Sequence, residues 1–157
     1  MAETTRSQEQ RTSTVAACPK CLKLNRIDLA RAKTRRPVCG ACQTEFDFHE
    51  GVLNVGTEQL RALIKGSPLP VIVDFWAPWC APCRAFAPTF TQVAQEEAGR
   101  ATFVKLNTEA DAIASQAFGI RGIPTLAVFR QGQELERQAG AFPYQAFKAW
   151  VGRHLFQ

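Results

Sequence analysis

The chain holds six cysteines, which fall into three Cys-x-x-Cys pairs: Cys18 with Cys21, Cys39 with Cys42, and Cys80 with Cys83. A two-residue spacer keeps two sulfurs within reach of each other, which suits a reversible disulfide or a shared metal ion. The third pair lies in Trp79-Cys80-Ala81-Pro82-Cys83. Before it runs Val71-Ile72-Val73-Asp74-Phe75-Trp76; after it comes Arg84 to Gln95, with Phe86, Val93 and Ala94 placed for a core-facing side. The first run reads as a buried strand and the second as a helix, so the dithiol falls on a strand-to-helix turn. At the helix start, Cys80 meets free N–H groups and the positive end of the dipole, both of which favour a thiolate. Cys83, one turn on, can close a disulfide with it, and Pro82 suits a first turn that has no use for its missing N–H.

The other two pairs lie 17 residues apart, the spacing of a four-cysteine zinc site. Four thiolates must converge tetrahedrally on one ion, and each short loop supplies two of them. Two disulfides, or a second redox dithiol, compete with this reading; a reducing compartment favours one Zn²⁺ held by Cys18, Cys21, Cys39 and Cys42. Such a site carries about −2, which Lys20, Lys23, Arg35 and Arg36 can offset. The basic run Arg31 to Arg36 raises nucleic acid as an alternative partner, and a ribbon-type binding module as an alternative function. No aromatic residue lies between Cys18 and Cys42 to stack on a base, so nucleic acid is not the expected partner. His49 reads as a surface residue, since four cysteines already fill the site.

Around these groups the chain must supply a scaffold. At 157 residues and 46% apolar composition it can bury one good core, and no run of about 18 apolar residues exists to cross a membrane. The N-terminus lacks the apolar centre of a signal peptide, so a cytoplasmic setting is expected. Its Thr, Ser, Gln, Glu and Arg predict a disordered polar tail over residues 1–16, followed by a zinc-ribbon-like segment over 17–50 and a main domain over 51–157. Phe46 and Phe48 alternate like a short strand at the joint. In the main domain the spacing predicts a first strand at Val52 to Val55. A helix capped by Thr57 and closed at Gly66 follows, then strand 71–76 and a helix reaching Ala98 that Pro88 should bend. Strand 102–106, a helix over 110–118, a hairpin of 125–130 with 134–139 and a last helix over 144–155 complete it. Strands alternating with helices imply an α/β fold, a central mixed sheet with helices on both faces.

Val-Asp-Phe-Trp-Ala-Pro-Trp-Cys-Ala-Pro-Cys-Arg (73–84) and Gly-Ile-Arg-Gly-Ile-Pro-Thr (119–125) resemble the two signature segments of the thioredoxin family, in the right order. With the four-cysteine segment in front, the whole chain is similar to the zinc-containing bacterial members. The resemblance implies the thioredoxin fold and general reduction of oxidised substrate proteins by a monomer. It also implies re-reduction by thioredoxin reductase, with NADPH and FAD on that partner and no organic cofactor bound here. By the same resemblance Cys80 attacks the target disulfide, Cys83 resolves the mixed disulfide, and Asp74 takes the resolving thiol's proton with Lys105 as its charge partner. Read from the residues alone, Asp74 is a costly carboxylate in an apolar run, whose other role is a structural hydrogen bond; Lys105 is equally a solvated strand lysine. Pro124 resembles the family's cis-proline, and Trp79, Gly122, Ile123 and Gly140 match the flat surface that receives substrates. Read bottom-up, Trp79 fits the core equally well. Ala81 departs from the family, which usually has Gly there, and leaves the redox potential open.

Overall fold

The computed structural model describes residues 12–155. Its main body is a six-stranded sheet in the order β3-β4-β6-β5-β7-β8. These strands are β3 (Phe48–His49), β4 (Val52–Asn54), β5 (Val71–Trp76), β6 (Thr102–Asn107), β7 (Thr125–Arg130) and β8 (Gln133–Ala139). β4 and β5 run parallel to β6, while β3, β7 and β8 run antiparallel to their neighbours. The sheet is mixed, as the alternation of elements predicts, and its centre is apolar on both faces.

Side-chain alternation sends each strand's residues to two cores. Val73, Phe75, Val104 and Leu106 pack toward helix α1 (Thr57–Gly66) and the N-terminal segment. Ile72, Phe103, Leu126 and Val128 pack toward α2 (Ala81–Glu96) and α4 (Tyr144–Leu155), where Phe86, Phe90, Phe147 and Trp150 fill the space. A fourth helix, α3 (Ala114–Phe118), is shorter than the predicted 110–118. Side-chain oxygens take the first N–H groups: Asn107 Oδ1 accepts from Glu109 and Ala110, and Asp111 Oδ1 from Ile113. These local turns compete with the helix and delay its start. Pro88 lies inside α2 as expected. Gly56, rather than Thr57, is the N-cap of α1, and Thr57 N donates to Asp111 Oδ2 at 2.7 Å.

The disordered tail expected over residues 1–16 is corrected at its C-terminal end; residues 1–11 lie outside the described residues. Ser13–Ala17 forms strand β1, antiparallel to β2 (Leu24–Asp28) in a two-stranded sheet. The cause is burial of small and β-branched side chains: Thr14, Ala16 and Ala17 are buried, the alanines in the core shared with α1. The Thr14 hydroxyl meets that of Thr102 at 3.1 Å, and Thr102 Oγ1 donates to Val15 O. At the other end of the strand, Gln59 Nε2 on α1 donates to Ala17 O. Gly66 gives room to Leu24, because a Cβ there would come within 2.8 Å of Leu24 Cδ1. Phe46 and Phe48 are both buried, and β3 joins the main sheet, so residues 17–50 share one core with the sheet.

Candidate active site and metal centre

Cys80 is the N-cap of α2 and Cys83 lies in its first turn, with a Cα–Cα distance of 5.2 Å and a disulfide between them. Cys83 N donates to Cys80 Sγ at 3.2 Å, one of the helix-start N–H groups expected to face that sulfur. Both cysteines are almost buried, whereas the neighbouring Trp79 is 67% exposed. That exposure settles Trp79 as surface and not core. Ile123 O lies 3.7 Å from Cys80 Sγ, the Ile123–Pro124 bond is cis, and Pro124 O accepts from Gly140 N at 2.9 Å. Ile123, Pro124 and Gly140 are thus gathered beside Cys80, and a Cβ on Gly122 or Gly140 would meet nothing.

Asp74 shares its face of β5 with Ile72, the face that α2 covers. It is fully buried and neither carboxylate oxygen has a hydrogen-bond partner. Burial pushes its carboxyl up to about 7, against a smaller opposing pull from Lys105. Lys105 stands opposite Asp74 in the β5–β6 register, and its ammonium lies 4.4 Å from the centroid of the Trp76 ring. No ion pair joins it to Asp74 among the described residues; its effect on the carboxyl acts through space. Lys105 and Trp76 also line a cleft of about 640 Å³ at the C-terminal ends of β4, β5 and β6.

The other four cysteines meet at the end of β1. Their sulfurs lie within 4.8 Å of one another, with Cys18–Cys42 at 3.5 Å and Cys21–Cys39 at 3.6 Å, and none is disulfide-bonded. Thiolates about 2.3 Å from a tetrahedral ion stand about 3.8 Å apart, so these separations fit zinc. Residues 18–23 and 39–44 form matching knuckles. Cys18 N donates to Lys23 O and Cys39 N to Thr44 O, while Leu22 N and Gln43 N return to the carbonyls of Cys18 and Cys39. Leu22 and Gln43 take φ near +64° and +65° to close these turns. Lys20 N and Cys21 N point at Cys18 Sγ, and Ala41 N and Asn25 Nδ2 at Cys39 Sγ, at 3.3–3.5 Å. The N–H groups of Ala41 and then Cys42 draw Cys39 down to about 6 and Thr44 lowers Cys42, while Cys21, despite the N–H of Lys23, is pushed up to about 11 by burial and the neighbouring sulfurs. His49 stands apart, exposed and 2.9 Å from Asp47.

Three contributors were not readable from spacing. Asn25 braces the second knuckle, accepting from Gly40 N at 2.9 Å. Thr44 lies 3.2 Å from Cys42 Sγ; its place two residues after the last cysteine was the available signal. Arg137 on β8 donates to Phe118 O and Gly119 O, fixing the end of α3 just ahead of the loop that delivers Ile123.

Comparison with known proteins agrees with this geometry. The family model described as Thioredoxin matches residues 51–153. A thioredoxin of Haemophilus influenzae is 35% identical over 66% of this chain and 97% of its own length. Thioredoxin C-3 of Corynebacterium nephridii is 33% identical over 91% of this chain and 97% of its own, so that similarity extends into the four-cysteine segment. Among solved structures, a mutant thioredoxin from Halobacterium salinarum superposes with a TM-score of 0.61 at 27% identity, covering 69% of this chain and 94% of that one.

Proposed function

The chain belongs to the thioredoxin family of thiol-disulfide oxidoreductases, and from that premise we propose that it reduces protein disulfides through Cys80 and Cys83 by way of a mixed disulfide. The observation that carries this is the bonded pair at the start of α2, set against the Ile123–Pro124 backbone. In the reduced protein the Cys80 thiolate attacks one sulfur of the target disulfide. That S–S bond breaks, the distal sulfur leaves as a thiolate, and a mixed disulfide joins Cys80 to the target. Cys83 gives its proton to Asp74 and attacks the Cys80 sulfur, which releases the second target sulfur. Two electrons pass to the target, whose two departing thiolates take their protons from solvent. Asp74 suits the acceptor role because burial has lifted its carboxyl into the neutral range, where it can gain and lose a proton. Lys105, opposite on β6, moderates that rise. Trp79, Gly122, Ile123, Pro124 and Gly140 form the surface that receives the target chain.

The zinc-containing subtype, thioredoxin 2, is the finer reading. Cys18, Cys21, Cys39 and Cys42 would hold the ion, which when bound cross-links the two knuckles; the sulfur separations and N–H donors support it. The setting is cytoplasmic, the protein a monomer, and thioredoxin reductase restores the dithiol with NADPH. The test is NADPH-coupled reduction of a disulfide protein in the presence of that reductase. The parent should turn over and Cys80→Ser should be inactive; activity retained by Cys80→Ser would overturn the assignment.

A further inference from the structure

The chain's net charge of +5 is matched by the excess within residues 18–45, the stretch that holds the four clustered cysteines. From Cys18 to Glu45 there are seven Lys and Arg residues against two carboxylates, while residues 46–157 carry ten of each sign and residues 1–17 two of each. All seven cations are exposed: Lys20 and Lys23 on the first knuckle, Arg26 on β2, and four more within residues 31–36. Only Arg36 has a carboxylate partner among the described residues, Glu45 at 3.1 Å. Elsewhere, five of the ten cations, Arg61, Arg100, Arg137, Lys148 and Arg153, sit in ion pairs. A tetrathiolate zinc site of about −2 offsets less than half of the segment's excess. Clustered, unpaired like charges repel one another and lower the stability of the fold that holds them. Six of the seven have no carboxylate partner among the described residues, and an external anion can relieve them.

We infer that this basic segment docks the acidic face of disulfide-bearing protein partners and holds them while the dithiol acts. The inference rests on the disulfide-reductase reading above, and it names the partner's class. Protein is favoured over nucleic acid because only protein brings a disulfide to Cys80, and because the segment offers no aromatic ring for a base to stack on. Residues 46–157, with ten charges of each sign, exert little long-range pull of their own; residues 18–45 supply a field that raises association rates by about 10-fold or more at low salt and fades as salt screens it.

The test uses the full-length, metal-loaded, pre-reduced protein in stopped-flow Trp fluorescence. It is mixed with two matched peptides, each bearing one disulfide, flanked in one by Glu runs and in the other by Gln runs. Runs of about 10 residues span about 30 Å when extended. The expected result is a second-order rate about 10-fold higher for the Glu peptide at low ionic strength, collapsing toward parity at high salt. The triple variant Arg26→Gln, Arg31→Gln, Lys33→Gln should lose the Glu-over-Gln ratio, and reversing the same three positions to Glu should transfer the preference to a Lys-flanked peptide. A Glu-over-Gln ratio unchanged in both variants would overturn the proposal. So would salt-sensitive capture of a DNA oligonucleotide with no discrimination between peptides, which would assign the segment to nucleic acid. Failure of the parent with both peptides, and with neutral hydroxyethyl disulfide, would sink the reductase reading itself.

Discussion

Asp74 is held in the core without a single hydrogen bond, and its cost depends on pH. Its carboxyl titrates near 7 in the folded chain and near 4 in an unfolded one, so folding binds a proton between those values. The penalty is therefore absent below about pH 4, grows as pH rises, and is complete above about pH 7, where it reaches at most about 4 kcal/mol. Asp74→Asn should leave the oxidised protein more stable than the parent by about 2–4 kcal/mol near pH 8 and no more stable near pH 4. Urea unfolding at the two pH values measures it, and equal gains at both would contradict the assignment. The same variant should slow release of the mixed disulfide, since the resolving thiol loses its proton acceptor. At this scale the sequence was informative: a carboxylate in an apolar run marked Asp74. Spacing alone could not separate Lys105 from a solvated lysine, because its influence is exerted through space on a neighbouring strand.

Among the elements, strands β4 to β8 and helices α1, α2 and α4 were legible because their periodicity is strong and their ends are marked by Gly, Pro or charged residues. Strands β1 and β2 and the start of helix α3 were not. Strand β1 was hidden because Ser-Thr-Val-Ala-Ala is short and weakly apolar; it exists through tertiary contacts with α1 and Thr102. Helix α3 was overextended because Asn107 and Asp111 take its leading N–H groups, a competition that hydrophobic spacing does not record. The β1 contact is testable. Thr102→Val leaves the Thr14 hydroxyl and Val15 carbonyl without their partner, and should cost about 1–2 kcal/mol in denaturant unfolding. Thiol chemistry at Cys80 should stay unchanged, because Thr102 lies at the end of β6 away from Asn107 and the dithiol. A loss of thiol reactivity matching the loss of stability would contradict this placement. The knuckles were readable from their cysteines, but their sulfur-directed N–H groups and positive-φ closures were not. Leu22 and Gln43 carry no sequence mark of that backbone shape.

Taken whole, the molecule is a sheet with a core on each face, one of them extended by the four-cysteine segment. Ala16, Ala17, Ile27 and Phe46 are buried in the same cluster as Leu60, Leu63 and Val104, so the ribbon is a part of the main fold's packing. Stripping zinc with a chelator should loosen both. The expected result is a fall in Tm of about 10 °C, corresponding to roughly 3 kcal/mol, with new dye-binding apolar surface. An unchanged melting curve after verified metal loss would show that the ribbon adds nothing to the fold. The central claim, that Cys80 opens the target disulfide and Cys83 resolves it, meets its most direct measurement in trapping. Cys83→Ser, reduced and mixed with an oxidised protein target, should accumulate a covalent adduct that mass spectrometry maps to Cys80, while Cys80→Ser accumulates none. An adduct mapped instead to Cys18, Cys21, Cys39 or Cys42, or formed equally by Cys80→Ser, would contradict the account.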